Sequence, residues 1–226
     1  MNSAIVVAAG RSQRMGNNTD KAFLNLGPKP VVAWSLLAFE QCHEIDRIIL
    51  VVRKDQVVAA KTVVQMFGIS KMQSVVAGGA NRQDSVLNGM KELDPETRYV
   101  CIHDGARPCV KPDLIEATLR CAKRNGTGIA AQRIWDTVKY VERGTTVGHT
   151  EDRSKLWTVQ TPQTFNLALL VRAYDEVKKK KVSITDDASA VELLGESVRL
   201  VEWMHPNIKI TTADDLPLAV VATQIS

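Results

Sequence analysis

The stretch IVVAAGRSQRMG, residues 5–16, decides the fold. Its first half is a continuous run of β-branched and small apolar residues. Such a run belongs to a strand covered on both faces, as in a parallel sheet, rather than to a strand with one wet face. The run stops at Gly10, where the missing Cβ lets backbone N–H groups come close to a ligand. Arg11 and Arg14 follow, and Lys21 comes slightly later, so the turn carries concentrated positive charge. Arginine forks onto phosphate oxygens and lysine acts as a mobile point charge. In parallel α/β sheets, ligands bind beyond the carboxyl ends of the strands. A polyphosphate is therefore the expected occupant. The turn is neither GxxxxGK[ST] nor GxGxxG, which disfavours a Walker-type site and a dinucleotide dehydrogenase.

The pattern of the first strand repeats along the chain. RIILVVR (47–53), QSVVAG (73–78), YVCIHD (99–104) and GIAAQRI (128–134) read as buried strands. VVAWSLLAFEQC (31–42), QVVAAKTVVQMFG (56–68), RQDSVLNGMKEL (82–93) and DLIEATLRCAKRNG (113–126) have helical spacing between them, with Gly68 and Gly126 as helix stops. Regular βαβ alternation predicts a doubly wound, mostly parallel α/β sheet of Rossmann-like type with right-handed crossovers. The rhythm breaks after Ile134. Residues 136–158 contain no helix-length amphipathic run and alternate like paired strands, with ERGT (142–145) as a turn. They are expected to form an antiparallel β-arm protruding from one domain that spans 1–226. Helices resume with LALLVRAYDEVKKK (167–180) and DDASAVELLG (186–195). Two short strands are expected at 198–203 and 207–210, then a last helix near Thr212 with Pro217 in its first turn.

The 226 residues are 45% hydrophobic and 24% charged, ordinary values for a globular protein, and the net charge is +4. This mild basicity suits a small anionic substrate. The lysines at 178–181 fall at a helix C-terminus, where cations complement the dipole, so they do not argue for nucleic-acid binding. No apolar run reaches the roughly 20 residues of a membrane span. The N-terminus enters the first strand directly, so a cytoplasmic location is expected. Cys42, Cys101, Cys109 and Cys121 form no CxxC pair and read as buried free thiols. The four histidines are scattered, without metal-ligand spacing.

Three further constellations carry chemistry. HDGARP (103–108) follows a strand, so Asp104 emerges at the same rim as Gly10. A carboxylate there is a candidate for Mg²⁺ or for substrate hydroxyls, and Arg107 for an anion. His103 reads as a packed histidine rather than a catalyst. AGGANRQDSV (77–86) ends a strand in Gly78–Gly79 and starts a helix with Arg82 and Ser85, offering N–H donors to a base edge or an anion. DTVK (136–139), EDR (151–153) and NIKIT (207–211) are individually ordinary polar segments.

Together with DKAFLNLGPKPV (20–31), TPQTF (161–165) and ITDDASAVE (184–192), these blocks occur in an order that resembles the 2-C-methyl-D-erythritol 4-phosphate cytidylyltransferases, nearly end to end. The resemblance implies a nucleotidyltransferase fold. It implies cytidylyl transfer from CTP to methylerythritol phosphate with release of pyrophosphate, in the non-mevalonate route to isoprenoids. It also implies Mg²⁺ at the triphosphate, and a homodimer whose arm reaches the partner's site. Arg14 and Lys21 match the cations at the CTP phosphates. Arg153 and Lys209 match the pair that positions the acceptor phosphate, and Thr137 a further phosphate contact from the arm. Asp104, Gly105 and Arg107 match the acceptor-side loop. Ala8, Ala9, Gly10, Gly79, Arg82 and Ser85 match the cytidine pocket, while Thr161 and Thr185 complete the expected substrate contacts. Ser12 stands where the family often has a second glycine, and Ala80 where an acidic residue is frequent. The nearest alternative acceptor is ribitol 5-phosphate.

Overall fold

The computed structural model describes residues 1–10 and 20–223. In chain order the elements are β1 (Asn2–Ala8), β2 (Asn25–Leu26), β3 (Lys29–Pro30), α1 (Val31–Gln41), β4 (Arg47–Val52), α2 (Val57–Met66), β5 (Met72–Ala77), α3 (Arg82–Met90), β6 (Tyr99–Asp104), α4 (Pro112–Asn125), β7 (Thr127–Arg133), β8 (Lys139–Tyr140), β9 (His149–Thr150), β10 (Trp157–Asn166), α5 (Leu167–Lys180), α6 (Asp187–Leu193), β11 (Leu200–Glu202) and α7 (Asp215–Thr223). Short 3₁₀ turns cover Lys21–Phe23, Lys54–Gln56 and Arg153–Lys155.

Seven strands form one sheet in the order β11-β7-β10-β6-β1-β4-β5. β1 pairs in parallel with β4 on one side and with β6 on the other. The chain thus leaves β1 in both directions, and the crevice at the carboxyl ends of β1 and β6 is a topological switch point, the place where open α/β sheets bind ligands. Alternation along β1 explains why the sheet is buried twice over. Ala4, Val6 and Ala8 enter the core shared with α1, α2 and α4, whereas Ile5 enters the opposite core beside α3, α5 and α6.

The helix stops behave as their sequences predict. Gly126 ends α4 with φ +82°, and Gly68 follows α2 with φ +62°. Asp215 opens α7 by accepting the N–H groups of Thr211 and Thr212 at 2.7 and 2.8 Å, and Pro217 falls in the first turn.

Three local expectations change. Residues 207–210 are not a strand; Ile210 N–H bonds the Ala106 carbonyl, and the segment packs across the β6 rim. Second, the antiparallel excursion comes back into the sheet. β10 lies between β6 and β7, antiparallel to both, so Trp157 and Thr158 of the predicted arm pair with Arg133 and Gln132 inside it. What projects is the β8–β9 hairpin, turned at Gly144 with φ +67°. Third, the β2–β3 hairpin was not foreseen. Its turn at Gly27, φ +61°, and Pro28 was signalled by LGPKP (26–30). Among the described residues, no helix is long and apolar enough to cross a membrane.

Candidate active site

A cavity of about 310 Å³ opens at the switch point. Its floor is the end of β1, Val7 through Gly10; one wall is the turn 79–82, and the other is Asp20 to Ala22. The glycines at 78–79 are dictated by close approach. A Cβ on Gly78 would stand 2.5 Å from the Ala9 Cβ, and one on Gly79 would stand 2.2 Å from the Asp84 Cβ. Asn81 caps α3 by accepting the Asp84 N–H at 2.8 Å. The Ser85 hydroxyl accepts the Gly79 N–H at 3.1 Å and donates to the Asn81 carbonyl at 2.8 Å. Ser85 therefore fixes the turn's shape from within.

A second cavity of about 150 Å³ adjoins the first and shares Arg82, Asp104 and Lys209 with it. Arg107, Thr161 and Thr185 line this second space. The shared residues form a charge chain. Arg82 Nε donates to Asp104 Oδ1 at 3.1 Å, and Lys209 Nζ donates to Asp104 Oδ2 at 2.6 Å. Arg82 also reaches Asp187 Oδ2 at 2.7 Å, and the Tyr174 hydroxyl donates to Asp187 Oδ1 at 2.6 Å. Asp187 is fully buried. Burial works against ionising Asp104, but the charges of Arg82 and Lys209 outweigh it and hold the carboxyl well below the usual range. Burial and the neighbouring Asp187 push the Tyr174 hydroxyl upward, so it stays a neutral donor.

The loop after β6 is held by His103, which is wholly buried. Its Nε2 faces the Arg107 carbonyl at 3.3 Å, and only a protonated nitrogen can bond there. The neutral ring then accepts at Nδ1 from the Thr161 hydroxyl, 3.2 Å away, while the same hydroxyl oxygen accepts the Asp104 N–H at 3.0 Å. Burial lowers the His103 pKa to about 3, so the ring is a neutral strut, as its sequence context suggested. Arg107 does not pair locally with Asp104. Its Nη1 donates to the Asn207 carbonyl at 2.7 Å, and its buried Nε has no hydrogen-bond partner among the described residues.

The structure thus brings Ala8, Ala9, Gly10, Lys21, Gly79, Arg82, Ser85, Asp104 and Lys209 to the first cavity, and Arg107, Thr161 and Thr185 to the second. Gly105 lies behind them; a Cβ there would sit 3.1 Å from that of Ala8. Arg14 and Ser12 fall outside the described residues. Thr137 and Arg153 do not line either cavity. They sit on the exposed arm segment, where Arg153 donates to the Trp135 carbonyl. Asp104, the metal candidate of the sequence, has a cation on each oxygen and is an ion-pair hub rather than a free donor. Among the described residues, no cluster of three or more His, Cys, Asp or Glu forms a metal cage. Sequence reasoning missed Asp187 and Tyr174, since a buried carboxylate–phenol pair leaves no local signature. It also missed Asp20, whose place beside Lys21 was the available signal.

The family model for 2-C-methyl-D-erythritol 4-phosphate cytidylyltransferase matches residues 2–224. The curated protein of that name from Alkaliphilus oremlandii is 41% identical over 218 residues, covering 96% of this chain and 92% of the relative. Its namesake from Pelotomaculum thermopropionicum is 42% identical with the same coverage. Among solved structures, the 4-diphosphocytidyl-2C-methyl-D-erythritol synthase of Anaerococcus prevotii superposes with a TM-score of 0.87 at 32% identity, covering 99% of this chain and 96% of that one. The 2-C-methyl-D-erythritol 4-phosphate cytidylyltransferase of Thermus thermophilus gives 0.79 at 30% identity, with both chains fully covered. A switch-point cavity walled by cations, on a chain matched over almost its whole length, has one family behind it: this chain belongs to the 2-C-methyl-D-erythritol 4-phosphate cytidylyltransferases.

Proposed function

We propose that the chain transfers the cytidylyl group of CTP to 2-C-methyl-D-erythritol 4-phosphate, giving 4-diphosphocytidyl-2-C-methyl-D-erythritol and pyrophosphate in isoprenoid synthesis. The observation that carries this reading is the pair of cavities joined through Arg82, Asp104 and Lys209. Two anionic reactants need two adjoining spaces with cations between them, and the larger one ends at the Gly10 turn.

A phosphate oxygen of the acceptor attacks the α-phosphorus of CTP. The bond from that phosphorus to its bridging oxygen breaks, and pyrophosphate leaves with the electron pair. The attacking oxygen is already anionic near neutral pH, so no general base is required; the neutral, fully engaged His103 fits this. The barrier is repulsion between anions, and the chain's task is to position them and to supply preorganised positive charge. Lys21, with Arg14 of the preceding segment, serves the triphosphate. Lys209, Arg107 and Arg153 serve the acceptor phosphate. A divalent ion bound together with CTP would neutralise part of the triphosphate's charge. Asp20 would be the residue to hold such an ion: its Oδ2 is buried at the cavity wall and finds no hydrogen-bond donor among the described residues.

Thr137 and Arg153 act, in this reading, across a homodimer. They stand on an arm flanked by exposed Trp135 (72%), Tyr140 and Val147, surface that a second copy would cover. Pyrophosphate release from CTP and Mg²⁺, with methylerythritol phosphate compared against ribitol 5-phosphate, tests the function. Turnover with neither acceptor defeats it, and preference for ribitol phosphate reassigns the acceptor.

A further inference from the structure

Asp20 lies at the cavity wall immediately before Lys21, with its side chain only 6% exposed. Its two oxygens differ. Oδ1 accepts the Ala22 N–H at 3.2 Å and so caps the short turn that carries Lys21. Oδ2 is buried and has no hydrogen-bond partner among the described residues. Arg53 Nε stands 3.8 Å away, but that guanidinium is already forked onto Asp55 through Nε and Nη2. A buried carboxylate oxygen without a donor is costly, and such a group persists where something outside the resting protein completes it. Among the described residues no hydroxyl or amide donates to Oδ2; what arrives at this wall, in the reading above, is a triphosphate with its cation. Mg²⁺ is commonly held by one or two carboxylates together with substrate phosphates rather than by an all-protein cage.

Resting on the function proposed above, we propose that Asp20 Oδ2 is the protein's contact to the divalent ion that CTP carries, met directly or through a metal-bound water. Asp104 is unsuited to this role because Arg82 and Lys209 hold its oxygens. Asp20 also answers for Lys21. One carboxylate orients the turn with one oxygen and meets the ion with the other, so metal and lysine approach the same phosphates from a common base.

The test is CTP binding by calorimetry to the full chain without acceptor, once in EDTA and once in excess Mg²⁺, with Mn²⁺ binding followed in parallel by electron paramagnetic resonance. The wild type binds CTP more tightly with metal. Asp20→Asn keeps an oxygen for the Ala22 N–H and removes the charge. In this variant the gain in CTP affinity conferred by metal should shrink roughly tenfold, and Mn²⁺ retained in the ternary mixture should fall with it. Affinity in EDTA should be unchanged or higher, since a negative group has left the neighbourhood of a polyanion. Asp20→Ser, which also caps, should behave alike. An undiminished metal gain in both variants overturns the inference while leaving the enzyme reading intact. A wild type that binds no CTP under either condition overturns both.

Discussion

Asp104 and Lys209, 105 positions apart in the chain, meet at 2.6 Å on the boundary between the two cavities. The contact is strong enough to locate the lysine but not to bury it; its side chain remains 40% exposed. Lys209 thus lines both cavities and, in the proposed function, can shift from a carboxylate to an arriving acceptor phosphate.

Replacing Lys209 by alanine should raise the KM for the acceptor phosphate. A hydrogen bond to a charged group is worth about 1.5–3 kcal/mol, or roughly 10–100-fold. The KM for CTP should move much less. Steady-state kinetics with each substrate varied in turn decides the matter, and an effect confined to kcat would remove Lys209 from acceptor binding.

Lys21 lines the first cavity, where the proposed function seats the triphosphate. If its contact tightens as negative charge grows on the departing pyrophosphate, Lys21→Ala should lower kcat by roughly 10²–10³, the loss typical of one preorganised donor. CTP binding should be nearly preserved. A variant with normal kcat and weakened CTP binding would assign the lysine to ground-state recognition alone.

Tyr174 and Asp187 line neither of the two cavities, yet they set the direction of Arg82. Tyr174→Phe removes a donor from a fully buried carboxylate, at a cost of about 1–3 kcal/mol. For a chain of this length that lowers Tm by roughly 2–4 °C per kcal/mol. Asp187→Ala leaves Arg82 with Asp104 as its remaining ion-pair partner among the described residues and should weaken CTP affinity as well as stability. Differential scanning calorimetry and CTP titration on the two variants separate these effects. Equal stability in wild type and Tyr174→Phe would mean that the phenol does not support the buried carboxylate.

How much of this was legible beforehand follows the range of each interaction. Strand and helix identities were readable because they rest on local periodicity: YVCIHD is β6 and LALLVRAYDEVKKK is α5, residue for residue. The rim residues were readable too, since a strand ending in glycine or aspartate exposes those groups at the sheet's carboxyl edge. The position of β10 was not. Its insertion between β6 and β7 depends on contacts far away in the chain, which alternation alone does not encode. Segment 207–210 misled because its apolar alternation, Ile208 and Ile210, looks like a strand, while Asn207 and Lys209 between them serve the site. The Arg82–Asp187 pair was equally hidden, its members lying 105 positions apart.

His103 provides a stability prediction with a definite sign. Its folded pKa, about 3, lies far below the ordinary 6.5, because burial disfavours the charged ring. Above pH 6.5 both folded and unfolded chains carry a neutral histidine, and its contribution is fully present. As pH falls below 6.5 the unfolded chain takes up a proton that the folded chain refuses, so stability declines until the folded pKa is reached. Asp104 acts in a lower window, since the contribution of its depressed carboxyl is full above the ordinary carboxylate value near 3.8 and is lost only as pH falls below it. Between pH 6.5 and 4 the slope of Tm against pH should therefore be steeper in the wild type than in His103→Gln, which can still bridge the Arg107 carbonyl and Thr161 but does not titrate. Thermal melts across that interval measure the difference. Parallel slopes for the two proteins would show that the ring is not held neutral by burial, and the strut assigned to it between Arg107 and Thr161 would have to be redrawn as a charged contact.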